Sequence, residues 1–166
     1  MLITTSRKPS KRTRTFCREL ECVIPLSLYV QRGKKGIREL VALAYEKGME
    51  RIMLVESKGG NPASLEFIKV NSNSWEFLGK IEISVTLRRE MGVKKLKKLE
   101  EDLSFMIKSA PEEILNLFKA DSHIDSDTYC FAELKKEILN FYRLDYSSEH
   151  VGPKIKIRDV YAQTQN

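Results

Sequence analysis

Apolar positions along this chain follow two periods, and each change of period marks a new element. Leu2-Ile3-Thr4-Thr5 is short and rich in β-branched residues, the composition of a strand. Pro9 disfavours helix just before it and Ser10 is a preferred N-cap, so a helix is predicted from there to about Cys22. At about 100° per residue, Thr13, Phe16, Cys17 and Leu20 form one stripe of that helix, with Lys11, Arg14 and Arg18 on nearly the opposite side. A second helical stripe, Ile37, Leu40, Val41 and Ala44, ends at Gly48, a natural C′ residue. Ile52-Met53-Leu54-Val55 is continuously apolar, as a central strand covered on both faces requires. Beyond the breaker Lys58-Gly59-Gly60-Asn61-Pro62, Leu65 to Val70 opens a hairpin that turns at Asn71-Ser72-Asn73-Ser74. On its return strand Trp75, Phe77, Ile81, Ile83, Val85 and Leu87 are expected to share one face; the pattern fits an internal strand or an edge.

From Leu103 the pattern starts again. Phe105-Met106-Ile107-Lys108-Ser109-Ala110-Pro111, followed by helical Ile114, Leu115 and Phe118, repeats the opening order of strand, serine, proline and helix. Leu65-Glu66-Phe67-Ile68-Lys69-Val70 matches Leu139-Asn140-Phe141-Tyr142-Arg143-Leu144, and Ile81-Glu82-Ile83 matches Ile155-Lys156-Ile157, both at an offset of 74. Gly79 and Gly152 align with one gap. The expectation is an α/β fold of two related halves, residues 1–90 and 91–166, in one domain, with the second copy shortened by 29 residues. Between Tyr129 and Leu139 the pattern is ambiguous, because Phe131, Leu134 and Ile138 also fit a helix.

Charge adds what periodicity cannot. Residues 1–38 hold ten bases and two acids, a net of +8, whereas the whole chain is only +6. Residues 39–166 therefore carry 19 bases against 21 acids, a net of −2. A local field of one sign suits a polyanion partner. Lys11 and Arg12 would stand in the first turn of their helix, where the dipole is already positive, at a cost of roughly 0.3–1 kcal/mol each. Stability does not explain that choice, and an anion at the helix start would reverse its sign. The plain alternative is a solvated basic face.

The remaining candidates for chemistry are thin. Arg32-Gly33-Lys34-Lys35-Gly36 lacks the Ser or Thr and the distal glycine of a triphosphate-binding loop, leaving a basic loop whose backbone can approach a phosphate. Lys94, Lys95, Lys97 and Lys98 are nearly cancelled by Glu100, Glu101 and Asp102, the mark of a solvated linker. Asp121, His123, Asp125 and Asp127 fail the calcium-loop template, having Ser126 and Ala132 where glycine and glutamate belong. Cys17, Cys22 and Cys130 match no zinc spacing and read as reduced packing residues. No Ser/His/Asp or Cys/His arrangement can be proposed from spacing alone, two histidines leave few options for hydrolytic chemistry, and no metal or cofactor is expected. No run of 18 apolar residues occurs and Arg7 and Lys8 interrupt any signal-peptide core, so no membrane contact and a cytoplasmic address are expected.

The run Thr4-Thr5-Ser6-Arg7-Lys8-Pro9-Ser10, with Arg12-Thr13-Arg14, Phe16, Leu20, Pro25 and Arg32-Gly33-Lys34, resembles the opening of the Brix-domain family of ribosome-biogenesis proteins. Near the end, Glu149, Gly152, Pro153 and Lys154 resemble that family's Glu-x-Gly-Pro-Arg segment, with one extra residue and lysine for arginine. The resemblance implies a duplicated α/β fold, each half similar to the anticodon-binding domain of class II aminoacyl-tRNA synthetases. It implies an archaeal single-domain type that binds pre-ribosomal RNA, with Arg7, Lys8, Lys11, Arg12, Arg14, Arg32 and Lys34 as contacts. The charge pattern adds Arg18 and Lys35 to that set. The expected function is a non-catalytic RNA-binding factor, with pre-rRNA and ribosomal or assembly-factor proteins as partners and no DNA. The alternatives are a metal-dependent RNA-processing enzyme using the Asp121–Asp127 loop, and a protein-interaction module for an acidic assembly partner. Glu66, Glu76 and Glu82 on the hairpin could also meet a protein.

Overall fold

A computed structural model of the chain describes residues 1–72, 74–94, 97, 105–122, 130–143 and 150–163. The first half runs β1 (Leu2–Thr5), α1 (Lys11–Glu21), β2 (Leu28–Tyr29), α2 (Ile37–Glu46), β3 (Arg51–Lys58), β4 (Asn61–Val70) and β5 (Trp75–Thr86). A 3-10 turn, Arg88–Met91, leads out of it. The second half runs β6 (Phe105–Lys108), α3 (Glu112–Phe118), β7 (Cys130–Lys135), β8 (Ile138–Arg143) and β9 (Lys154–Ala162).

The nine strands of the described residues form one sheet in the order β2-β1-β3-β4-β5-β9-β8-β7-β6. β1 pairs in parallel with β3, which continues antiparallel through β4 to β5. From the other edge, β6 pairs in parallel with β7, which continues antiparallel through β8 to β9. β5 and β9 meet antiparallel at the centre, so the long return strand is internal.

Both faces of the first half are covered. Phe16, Cys17 and Leu20 of α1 and Ile114, Leu117 and Phe118 of α3 bury against Ile3, Met53, Val55, Leu65, Phe67 and Ile81. On the other face Leu40 and Ala44 of α2 pack on Leu2, Ile52, Ile68 and Val70. Full burial of one such large side chain is worth roughly 1.5–3 kcal/mol. The apolar run in β3 is thus explained: alternate residues serve opposite layers.

Two local expectations resolve against the simplest pattern. Phe67 stands opposite Gly79 but Ile68 opposite Phe77, so Leu78 is a bulge. The bulge turns Trp75 and Phe77, which pair with Val70 and Ile68, to the α2 face, while Ile81 and Ile83 face α1 and α3. The six residues from Trp75 to Leu87 therefore do not share one face. The ambiguous stretch is strand from Cys130, with Lys136 and Glu137 at φ 48° and 65° making the turn into β8.

Candidate nucleic-acid interface

Three parallel strands place the basic stretch. Because β1, β2 and β3 run the same way, the loops leaving their C-terminal ends meet on one rim of the sheet. These are Ser6–Ser10, residues 30–36 and the β3–β4 tip at Gly59–Gly60. Ser10 pins two of them together: its Oγ accepts from the Thr13 N–H at 3.0 Å and donates to the Gly60 carbonyl at 2.6 Å. Thr13 Oγ1 continues the link to Ser57 Oγ at 2.8 Å. The first turn of α1 contains no acid.

The predicted residues divide into exposed and engaged cations. Arg7, Lys8, Lys11, Arg18 and Lys34 are exposed, and Lys35 is half-buried. Arg18 lies over the Tyr29 ring, 5.9 Å from its centroid. Arg14 donates to the Pro9 carbonyl at 2.9 Å, holding the loop that carries Arg7 and Lys8. Arg32 is only 8% exposed, and its Nε donates to the Lys35 carbonyl at 3.0 Å. Burial foremost, then the neighbouring charge of Arg7, lowers its pKa, so the two loops are electrostatically in contact. Gly33 takes the left-handed turn, φ 56°, beneath that arginine.

Arg12 is the most engaged. Its guanidinium forks onto both carboxylate oxygens of Glu90 and donates to the Val85 carbonyl at 2.9 Å. This hydrogen bond is the main reason the Glu90 carboxyl is held at about 2. Two turns further along α1, Glu19 is buried and accepts from the Arg88 N–H at 3.0 Å. Its pKa rises, chiefly through desolvation. The chain leaving β5 is therefore strapped along one flank of α1, leaving Lys11 and Arg18 outward.

Folding also brings in cations that the linear reading did not select. Lys58 is exposed at the same rim, and Arg89 is exposed beside Glu90. Lys58 stands outside any basic run and Arg89 outside the first 38 residues; the parallel pairing of β1 with β3 and the strap across α1 bring them near. His123, Asp125, Asp127 and Glu149, with Lys95, Lys98, Glu100, Glu101 and Asp102, lie outside the described residues. Asp121 uses its backbone to bridge the edge of β6, its N–H donating to the Phe105 carbonyl at 3.0 Å. Among the described residues no three His, Cys, Asp or Glu gather as a metal site. Nor, among them, is any helix long and apolar enough to cross a membrane. Cys17 is fully buried, which pushes its thiol pKa well up. This geometry can neutralise a row of anionic groups.

No family model matches the chain. Among curated relatives, a probable Brix domain-containing ribosomal biogenesis protein of Pyrococcus horikoshii is 36% identical over 185 residues, spanning 95% of this chain and 83% of its own. The counterpart in Pyrococcus abyssi is 35% identical over the same spans. Among solved structures, a probable ribosomal biogenesis protein from Aeropyrum pernix superposes with a TM-score of 0.81 at 23% identity, covering 99% of this chain and 96% of that one. An archaeal Imp4-like protein superposes with a TM-score of 0.72 at 25% identity, covering 98% and 100%.

Proposed function

The chain belongs to the family of Brix domain-containing ribosomal biogenesis proteins, and from that premise we propose that it is a non-catalytic factor holding pre-rRNA on its basic rim. The observation that carries this reading is the exposure of Arg7, Lys8 and Lys34 in loops at the ends of parallel strands and of Lys11 and Arg18 on the adjoining helix α1, in a chain otherwise slightly acidic. Arg12, Arg14 and Arg32 act mainly by fixing the loops that present the others, and Lys35 completes the set. Recognition is by phosphate neutralisation and shape, in the cytoplasm, with ribosomal or assembly-factor proteins as further partners.

Within this reading the two halves, residues 1–90 and 91–166, are copies of one anticodon-binding-domain-like unit in a single domain. The matched pairing order from each edge supports it. So does a shared packing detail: Phe67 stands opposite Gly79, and Phe141, 74 residues on, packs on Gly152.

The test is salt dependence. With ~4–6 phosphates engaged on single-stranded RNA, log affinity should fall against log salt with a slope of roughly −3 to −4. Joint replacement of Lys11, Arg18 and Lys34 by Ala should flatten that slope by about 2. An unchanged slope would remove the rim from consideration.

A further inference from the structure

Among the described residues near the basic rim, Phe16 is fully buried in the core and the Tyr29 ring lies under Arg18, which leaves bases little to stack on there. Exposed rings stand instead at the opposite end of β3 and β4, joined to the rim by the length of α2. Tyr45 of α2 and Trp75 of β5 are 57% and 45% exposed, large aromatics left in water. They line one groove of about 840 Å³ together with Arg38, Val41, Ala42 and Ser74. Both placements have a local cause. The bulge at Leu78 turns Trp75 to the α2 face at the end of the β4–β5 hairpin. Arg38, Ala42 and Tyr45, four and three residues apart, form a single stripe on α2, spanning roughly 10 Å along its axis.

The groove begins where the basic loop ends, for Arg38 lies in the first turn of α2, three residues after Lys35. Cations therefore gather at its entrance. At its far end Glu46 is neighboured by Lys47, with Nζ 3.8 Å from the carboxylate. Among the described residues neither ring rests on another aromatic, and each stays about half exposed to solvent. The small Ala42 between Arg38 and Tyr45 leaves room above the helix. Asn71, Ser72 and Ser74 make the opposite wall polar, which suits the hydrogen-bonding edges of bases better than a dry protein contact.

We infer that this groove is a base-stacking site for single-stranded RNA, reached from the basic rim along α2, in which Tyr45 and Trp75 each take a base and Arg38 a phosphate on the rim side of them. The inference rests on the RNA reading above and adds to it a second mode of contact. Sequence-tolerant stacking on aromatics beside a cationic track is a general means of holding a single strand.

Trp75 is the chain's single tryptophan, so its emission reports this groove alone. The full chain would be titrated with a short single-stranded oligouridylate, following both Trp75 emission and the anisotropy of a label on the RNA. The expected result is saturable quenching with the same midpoint as the anisotropy change. Tyr45→Ala should weaken binding roughly ten-fold with the salt slope unchanged, and Tyr45→Phe should restore it. Arg38→Ala should instead flatten the slope by about 0.7. Anisotropy binding with no change in Trp75 emission, and wild-type affinity in Tyr45→Ala, would overturn the inference and leave the rim as the RNA site. Binding by neither probe would overturn both. Quenching by a ribosomal or assembly protein and not by RNA would assign the groove to that partner and overturn the stacking site.

Discussion

Helices α1 and α3 follow the first strand of their respective halves and bury into the same core, yet they begin with opposite charges. The first turn of α3 carries Glu112 and Glu113, which the helix dipole favours. The first turn of α1 carries Lys11 and Arg12 and no acid. Part of that cost is recovered tertiarily, since Glu90 reaches back from beyond β5 to Arg12. Lys11 has no such partner among the described residues. The same contrast runs across the sheet. In the first half α2 covers the far face, and its groove leaves Tyr45 and Trp75 about half exposed. In the second half that face carries its own aromatic row. Lys108 Nζ sits 4.3 Å from the Phe131 centroid, Phe131 stacks on Tyr142 at 5.0 Å, and His150 meets Tyr142 edge-on at 6.1 Å. Those rings fill one another's faces. Similar topology thus serves stability in one half and leaves unmet charges and exposed rings in the other, and the proposed binding site rests on that contrast.

The sharpest way to break this contrast is charge reversal in each helix. Lys11→Glu with Arg18→Glu and Lys34→Glu should lower RNA affinity at least about 100-fold at physiological salt, measured by filter binding. Glu112→Lys with Glu113→Lys should change it less than about three-fold; a comparable effect from α3 would dissolve the distinction.

Glycine packing tests whether the halves are built alike. A Cβ at Gly79 would meet the Tyr161 carbonyl oxygen at 2.5 Å, and one at Gly152 would meet Phe141 Cβ at 2.8 Å. Gly79→Ala and Gly152→Ala should each cost about 1–3 kcal/mol in denaturant unfolding, with Gly79 the worse because backbone cannot yield as a side chain can.

Among the described residues the strap across α1 has no counterpart in the second half, and Glu90→Gln probes it. At neutral pH it should cost about 1 kcal/mol, the upper range for a solvent-accessible pair. The Glu90 carboxyl is held at about 2, below its ordinary 4.5, so its contribution is present above pH 4.5 and lost as pH falls towards 2. The gap in Tm between wild type and variant should close over that window. Smaller still is the acid response of the second half's aromatic row. Burial, then Lys154, pushes the His150 imidazole down to about 4 from 6.5, so the unfolded chain binds its proton first. Stability should fall as pH drops from 6.5 through about 4, and His150→Phe should flatten that limb in denaturant titrations at stepped pH.

Several elements were legible in the chain because their causes are short-range. Ser10 caps α1 where Pro9 and the apolar stripe place it, and Cys22 closes it. The apolar stripe of α2, the doubly covered β3 and the concentration of charge in residues 1–38 follow from spacing and count alone. The two-residue β2 carried no signal, because its pairing is supplied by β1. The stretch after Cys130 became strand, despite spacing that also fits a helix, because β6 and β8 offered partners on both sides. What the tertiary structure alone decided are contacts between residues far apart in the chain. Arg12 and Glu90 lie 78 positions apart, Lys58 reaches the rim only through the parallel pairing of β1 with β3, and the bulge at Leu78 turns Trp75 towards Tyr45. Local propensity and periodicity act over a few residues and set each element and its buried face. Which cations remain free and which rings stay exposed depends on register and strand order, properties of the whole sheet that no single segment encodes.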